Sequence, residues 1–198
     1  MSATGMSIAA DQSAWKLPSR GKVGMICLII AESAIFTIFV AAYIFYIGKS
    51  LSGPTPREIL KVPIVATVCL LFSSFTMHWA IAALRKRNTP AFTAFWFATF
   101  VLGATFIGGT AIEWRHLIYQ DNFTIQTNLF GTTYYSLVGL HASHVIVGLI
   151  GLALVTVLAL MGRVKQEHAE RCEVFSLYWH FVDAVWVVVF TTVYVVGR

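Results

Sequence analysis

The most constraining feature of this 198-residue sequence is a series of five long apolar runs joined by short links. A bilayer core about 30 Å thick requires about 20 mostly apolar residues per helix, and each run reaches that length. The predicted spans cover residues 23–47, 62–84, 91–112, 130–161 and 174–196. Because the links leave no room for a soluble domain, residues 22–198 are predicted to form one transmembrane domain.

The composition and the pattern exclude the other main fold classes. Hydrophobic residues make up 58% of the chain and charged residues only 12%, whereas about a quarter of a soluble domain is charged. A transmembrane barrel requires short strands of alternating polarity, which this sequence lacks. The predicted fold class is therefore all-α, a polytopic bundle of five membrane helices. Residues 1–21 are polar and do not resemble a secretory signal, so we interpret them as a cytoplasmic N-terminal segment.

The basic residues predict the topology. Of the 14 Lys and Arg residues, nine flank one set of helix ends and five flank the other. The positive-inside rule then places the N-terminus in the cytoplasm and the C-terminus outside. This distribution accounts for the net charge of +5 without a nucleic acid as partner. Cys27, Cys69 and Cys172 have no paired spacing, so neither a disulfide framework nor a cysteine metal site is indicated.

Ionisable residues inside the apolar runs are the candidate functional residues, because a charge in the membrane is costly and needs a partner or a purpose. Glu32 and Asp183 each lie about ten residues into a span that begins on the cytoplasmic side, so both carboxyls are predicted to share a depth. His180 precedes Asp183 by one helical turn and is a candidate hydrogen-bond partner. His78 is predicted to lie close to His180 in depth.

A second set of candidates contains Glu113, His116, His141 and His144. Glu113 and His116 are three residues apart, and His141 of the next span is predicted to approach their layer. His141 and His144 are also three apart, within GLHASHVIVGL. Two imidazoles on one face of one helix cannot both ligate one haem iron axially. Hydrogen bonding between helices is therefore the favoured interpretation of this pair.

Residue spacing alone does not exclude more specific functions. Glu113 and His116 form half of a di-iron motif, which requires a second copy and two further glutamates. A haem would need an imidazole from a second helix. Glu32 and Asp183 could serve a proton pathway or a small transporter, although the inverted repeats and broken helices of transporters are not visible.

Small residues in the third and fourth spans predict close helix packing. Ala104 with Gly108 and Thr105 with Gly109 have the small-xxx-small spacing, and Gly148 and Gly151 follow in the next span. The pattern alone leaves open whether the neighbouring helix belongs to this chain or to another subunit.

Five stretches, one in each predicted span, carry a family resemblance. In chain order they are AESAIF around Glu32, LLFSSFTMHWA, FIGGTAIEW, GLHASHVIVGL and YWHFVDAVWVVVF. Together they resemble subunit III of the haem-copper terminal oxidases, over nearly the whole chain from about Gly24 to Arg198. The chain is similar to the short five-helix bacterial form, which lacks the first two helices of longer members.

The resemblance implies an accessory subunit of a cytochrome c oxidase. Such a subunit has no catalytic residue, metal or cofactor of its own, since the haems and copper belong to partner subunits. It packs on subunit I in a complex that includes subunit II, binds phospholipid and supports proton uptake and stability in the bacterial plasma membrane. The family's carbodiimide-reactive carboxylate matches Glu32. Its other polar positions match Glu113, His141, His144, His180 and Asp183.

The resemblance leaves the electron donor open. HWA and NLFGTTYYSLVGLH look closer to cytochrome c oxidases, which we favour, while FTTVYVVG is also similar to quinol oxidases. A subunit III-like partner of nitric oxide reductase is a third option.

Overall fold

The computed structural model describes residues 19–50 and 53–197, and all regular structure in these ranges is helical. The helices are α1 (Arg20–Tyr46), α2 (Pro56–Ile59), α3 (Ile64–Arg85), α4 (Thr89–Tyr119), α5 (Leu129–Leu160) and α6 (Ala169–Phe190), which a π-helical segment (Thr191–Val196) extends. Five of these helical units are long and apolar enough to cross a membrane, which confirms the predicted five-helix fold. Most of the predicted N-terminal segment, residues 1–18, lies outside the described ranges.

Polar residues between the apolar runs cap the starts of α4 and α5. The Asn88 side chain accepts a hydrogen bond of 3.1 Å from the backbone N–H three residues later, and Pro90 occupies the first turn of α4. Asn128 caps α5 in the same way at 2.8 Å. The asparagine side chain accepts from a backbone N–H that has no partner within the helix. Proline has no N–H, so in the first turn it leaves no donor unsatisfied. The starts of α4 and α5 therefore follow directly from local sequence.

Helix α4 extends further than the apolar run predicts. The predicted span ends at residue 112, whereas the helix continues to Tyr119. Leu117 is only 2% exposed, and its carbonyl accepts a hydrogen bond of 2.8 Å from the N–H of Phe123. Burial of this one side chain stabilises a further helical segment beyond the apolar run.

Helix α6 lies at the centre of the bundle and contacts α1, α3 and α5. Helices α3 and α4 form an antiparallel hairpin, and α4 also packs on α5. Helix α1 is peripheral, since Phe36 and Tyr43 are the buried residues among its 27. We call the end at which α1, α4 and α6 begin and α3 and α5 finish the basic end, and the other the distal end.

Trp179 of α6 determines how the central helices approach one another. Its ring is fully buried between Gly103 of α4 and Gly148 of α5, where a Cβ atom on either glycine would lie 2.7 Å from the ring. The indole N–H donates a hydrogen bond of 2.9 Å to the hydroxyl of Ser73 on α3. Gly148 therefore serves packing within this chain, whereas a Cβ on Gly108 would meet open space.

Candidate functional site

Glu32 and His144 join the peripheral helix α1 to α5. His144 Nε2 lies 3.2 Å from Glu32 Oε2, and His144 Nδ1 lies 2.8 Å from the carbonyl oxygen of Leu140. Because a carbonyl can only accept, Nδ1 is the donor in that bond, and Nε2 is the ring atom that faces the carboxyl. The pair joins two helices through polar groups that lipid would leave without a partner.

Asp183 and His180 do not pair directly, because Ser74 of α3 lies between them. The Ser74 hydroxyl donates to Asp183 Oδ2 and lies 3.1 Å from His180 Nδ1. A hydroxyl has one proton, so when it donates to the carboxyl it must accept from the imidazole N–H. Asp183 is 3% exposed, and its Oδ1 has no hydrogen-bond partner among the described residues. Ser74 was not among the predicted site residues, although it lies within the quoted stretch LLFSSFTMHWA.

His141 has no hydrogen bond to either ring nitrogen among the described residues, and its side chain is fully buried. Its ring stacks on Trp186 with centroids 5.0 Å apart and meets the edge of Phe106 at 5.7 Å. The expected hydrogen bonding between helices thus applies to His144 and not to His141. The reason is geometric, since aromatic rings surround the site and leave no acceptor within reach.

Glu113 and His116 line one cavity of about 530 Å³ near the distal end but bind different partners. Glu113 Oε1 accepts a hydrogen bond of 3.3 Å from the Tyr194 hydroxyl, and His116 Nδ1 lies 3.1 Å from Asp121 Oδ2. His141 contacts aromatic rings instead of this layer. Tyr194 was missed, because only tertiary contact brings the end of the chain to α4.

The positions of the ionisable side chains bear on the hypotheses of a di-iron site and a haem site. Within residues 19–50 and 53–197, no group of three or more His, Cys, Asp and Glu side chains is arranged to hold a metal ion. The arrangements described above are pairs, or a pair bridged by serine, and each joins two helices except His116 with Asp121, which lies just beyond the end of α4. Their evident chemical capacity is to satisfy polar groups in the membrane and to hold or pass a proton.

The basic end carries a second cavity, of about 550 Å³, between α1, α3 and α6. Glu173 projects into it and pairs with Lys22 at 3.4 Å and with Arg85 at 2.7 Å. His78 and His180 line the same cavity, so their predicted proximity in depth corresponds to a shared surface. His180 of this lining is in turn hydrogen-bonded to Ser74, which lies further from the basic end.

Comparisons with known proteins agree with this architecture. The family model described as cytochrome c oxidase subunit III matches residues 17–198. Cytochrome c oxidase subunit 3 of Alkalihalophilus pseudofirmus is 34% identical over 168 residues, which cover 84% of this chain and 82% of the relative. Cytochrome c oxidase subunit 3 of Thermostichus vulcanus is 31% identical over 200 residues, covering 98% and 96%. Cytochrome bo(3) ubiquinol oxidase subunit 3 of Pseudomonas aeruginosa is 32% identical over 171 residues, covering 85% and 81%.

The matches span nearly the whole chain and include all five membrane helices. The resemblance that the five sequence stretches indicated is thereby confirmed. The chain belongs to the cytochrome c oxidase subunit III family.

Proposed function

We propose that this chain is the non-catalytic subunit III of a proton-pumping haem-copper terminal oxidase in a bacterial plasma membrane. The observation that carries the proposal is the family match over residues 17–198, which includes all five membrane helices. Haems and copper are held by partner subunits, and the electron chemistry takes place there. This chain packs on subunit I in the complex with subunit II and stabilises it.

The intramembrane polar groups support an accessory role. Glu32 with His144, and Asp183 and His180 with Ser74, form hydrogen bonds between helices of this chain. Such bonds hold membrane helices in register, because lipid offers no alternative partner. Glu32 and Asp183 can also hold protons at membrane depth, which fits a contribution to proton uptake by the neighbouring catalytic subunit.

The N-terminus is cytoplasmic in this proposal, because the basic end carries most of the Lys and Arg residues. Phospholipids cover the exposed apolar side chains of α1 and α5, among them Ile30, Ile38, Ile150 and Leu154. Anionic headgroups suit the basic end through charge attraction.

Cytochrome c is the proposed electron donor, in keeping with the stretches quoted above and with the names of two of the relatives. A quinol is the second candidate, because the relative from Pseudomonas aeruginosa is named a ubiquinol oxidase subunit. The donor binds elsewhere in the complex, so only an assay of the whole complex separates the two.

Co-purification tests the proposal. An affinity tag on this chain, expressed with its native complex, should retain haem absorbance and an oxygen-consuming activity. Reduced cytochrome c and a quinol, supplied in separate assays, identify the donor. The same tagged chain expressed without the partner subunits is the control and should show no Soret band. A Soret band or oxygen consumption from the lone chain contradicts the proposal.

A further inference from the structure

The cleft between α1 and α3, with α6 as its floor, differs chemically from the exposed surface of α5. His78 is exposed on α3, and His180 of α6 is partly exposed beside it. Ser74 continues this polar line, hydrogen-bonded to His180 and Asp183. With a rise of 1.5 Å per residue, Ser74 lies about 16 Å along α3 from Arg85 at the basic end. The polar line therefore extends well below the depth of lipid headgroups.

The exposed surface of α5 has the opposite character. Between residues 146 and 160 of this helix, every exposed side chain is apolar. Ile150 and Leu154 are 57% and 62% exposed, and as apolar side chains they require no hydrogen-bond partner. Acyl chains are a suitable solvent for this surface but offer no hydrogen-bond partner to an imidazole, so ionisable residues in membrane helices face protein or water.

The charges at the mouth of the cleft add a second constraint. Lys22, Arg85 and Lys86 line its basic end, and Glu173 is the acidic residue in the lining. Glu173 already pairs with Lys22 and Arg85, so the mouth has an excess of positive charge. A partner that fits carries carboxylates at this end and hydrogen-bonding side chains at the depth of His180. A lipid with an anionic headgroup matches the positive charge at the mouth but offers no hydrogen-bonding group at the depth of His180.

We infer that this cleft is the surface on which the catalytic subunit packs, through a membrane helix with polar side chains at mid-depth and acidic residues at the basic end. The inference rests on the proposed function and adds to it the face of contact. It assigns the α5 surface to lipid. The histidines of the cleft then contribute hydrogen bonds across the subunit boundary.

Site-specific photo-crosslinking in the assembled complex tests the contact. A benzophenone amino acid replaces Leu177, which lines the cleft, or Leu71, which lies two turns before His78 on the same face of α3. Ile150 and Leu154 of α5 are matched controls, since they are apolar and exposed. We expect adducts with the catalytic subunit from Leu177 and Leu71 and none from the controls.

The alternative outcomes separate the two proposals. Adducts with the catalytic subunit from α5 alone, or only lipid adducts from the cleft, overturn the inferred surface while haem still co-purifies with the chain. If no haem-bearing subunit co-purifies with the unmodified chain, the proposed function fails first and the inferred surface fails with it.

Charge reversal provides a second test. Lys86→Glu at the mouth should increase severalfold the fraction of this chain lost from the purified complex at low salt, because it repels the acidic partner. Arg163→Glu is the control, since Arg163 is exposed on the link between α5 and α6, outside the cleft lining. Equal loss from both variants overturns the assigned charge complementarity.

Discussion

His141 and His144 lie one turn apart on α5, yet they have opposite environments. His144 bonds the backbone of its own helix and the carboxyl of Glu32, whereas His141 is enclosed by aromatic rings without a hydrogen bond in the described structure. Identical side chains at neighbouring positions thus perform different tasks. His144 connects two helices through a hydrogen bond, and His141 fills a space in the core. The difference shows that residue type and spacing do not define a role without the neighbours.

The largest effect should come from His141→Ala. Removing a fully buried ring leaves a cavity between Trp186 and Phe106, and we expect a loss of about 2–4 kcal/mol in the free energy of unfolding. Thermal unfolding in detergent, followed by tryptophan fluorescence, measures it.

His141→Phe is the matched control, because it keeps a ring of similar size and removes the two unsatisfied nitrogens. Its cost should stay below about 1.5 kcal/mol. If this variant is as unstable as the alanine variant, the ring nitrogens have a hydrogen-bonding role and the contrast with His144 breaks down.

Ser74→Ala is expected to have the next largest effect. It removes the hydroxyl between Asp183 and His180 and leaves a buried carboxyl without a partner, at a cost of about 1–3 kcal/mol. The same unfolding measurement applies, and Ser143→Ala, which removes a hydroxyl bonded only to its own helix, is the control. Equal effects from both variants argue against a bridging role for Ser74.

His144→Phe sharpens the comparison from the other side. It keeps an aromatic ring next to Phe36, 5.0 Å away, but removes the bond to Glu32. Hydrogen bonds between membrane helices contribute about 0.6 kcal/mol on average and up to about 1.7, so we expect a loss in that range. The loss should largely disappear in a Glu32→Ala background, which has no side-chain partner for His144, as a double-mutant cycle can measure. Additive effects contradict a direct interaction.

Glu32→Gln should have the smallest effect on stability, less than about 1 kcal/mol, because the amide can still hydrogen-bond His144. Electron transfer in the assembled oxidase should remain largely intact, with changes confined to proton uptake or to long-term activity. Oxygen consumption and proton release by the complex in vesicles measure the two separately. Complete loss of oxygen reduction in a correctly assembled complex contradicts an accessory role for Glu32.

Much of the architecture follows from the sequence by itself. Hydrocarbon excludes unsatisfied backbone groups, so five apolar runs of sufficient length are confined to helices, and residues such as Asn88 and Asn128 mark where two of them begin. The family resemblance could also be recognised from the sequence, because its five stretches occur in order along the chain.

The partners of the polar residues were decided by tertiary structure alone. Spacing predicted a shared depth for Glu32 and Asp183 and placed His180 one turn from Asp183, but hydrogen bonds also depend on how each helix is rotated about its axis. That rotation is determined by long-range packing, notably by Trp179 between the glycines of α4 and α5. This packing brings His144 next to the carboxyl of Glu32, places Ser74 between Asp183 and His180, and leaves His141 among aromatic rings.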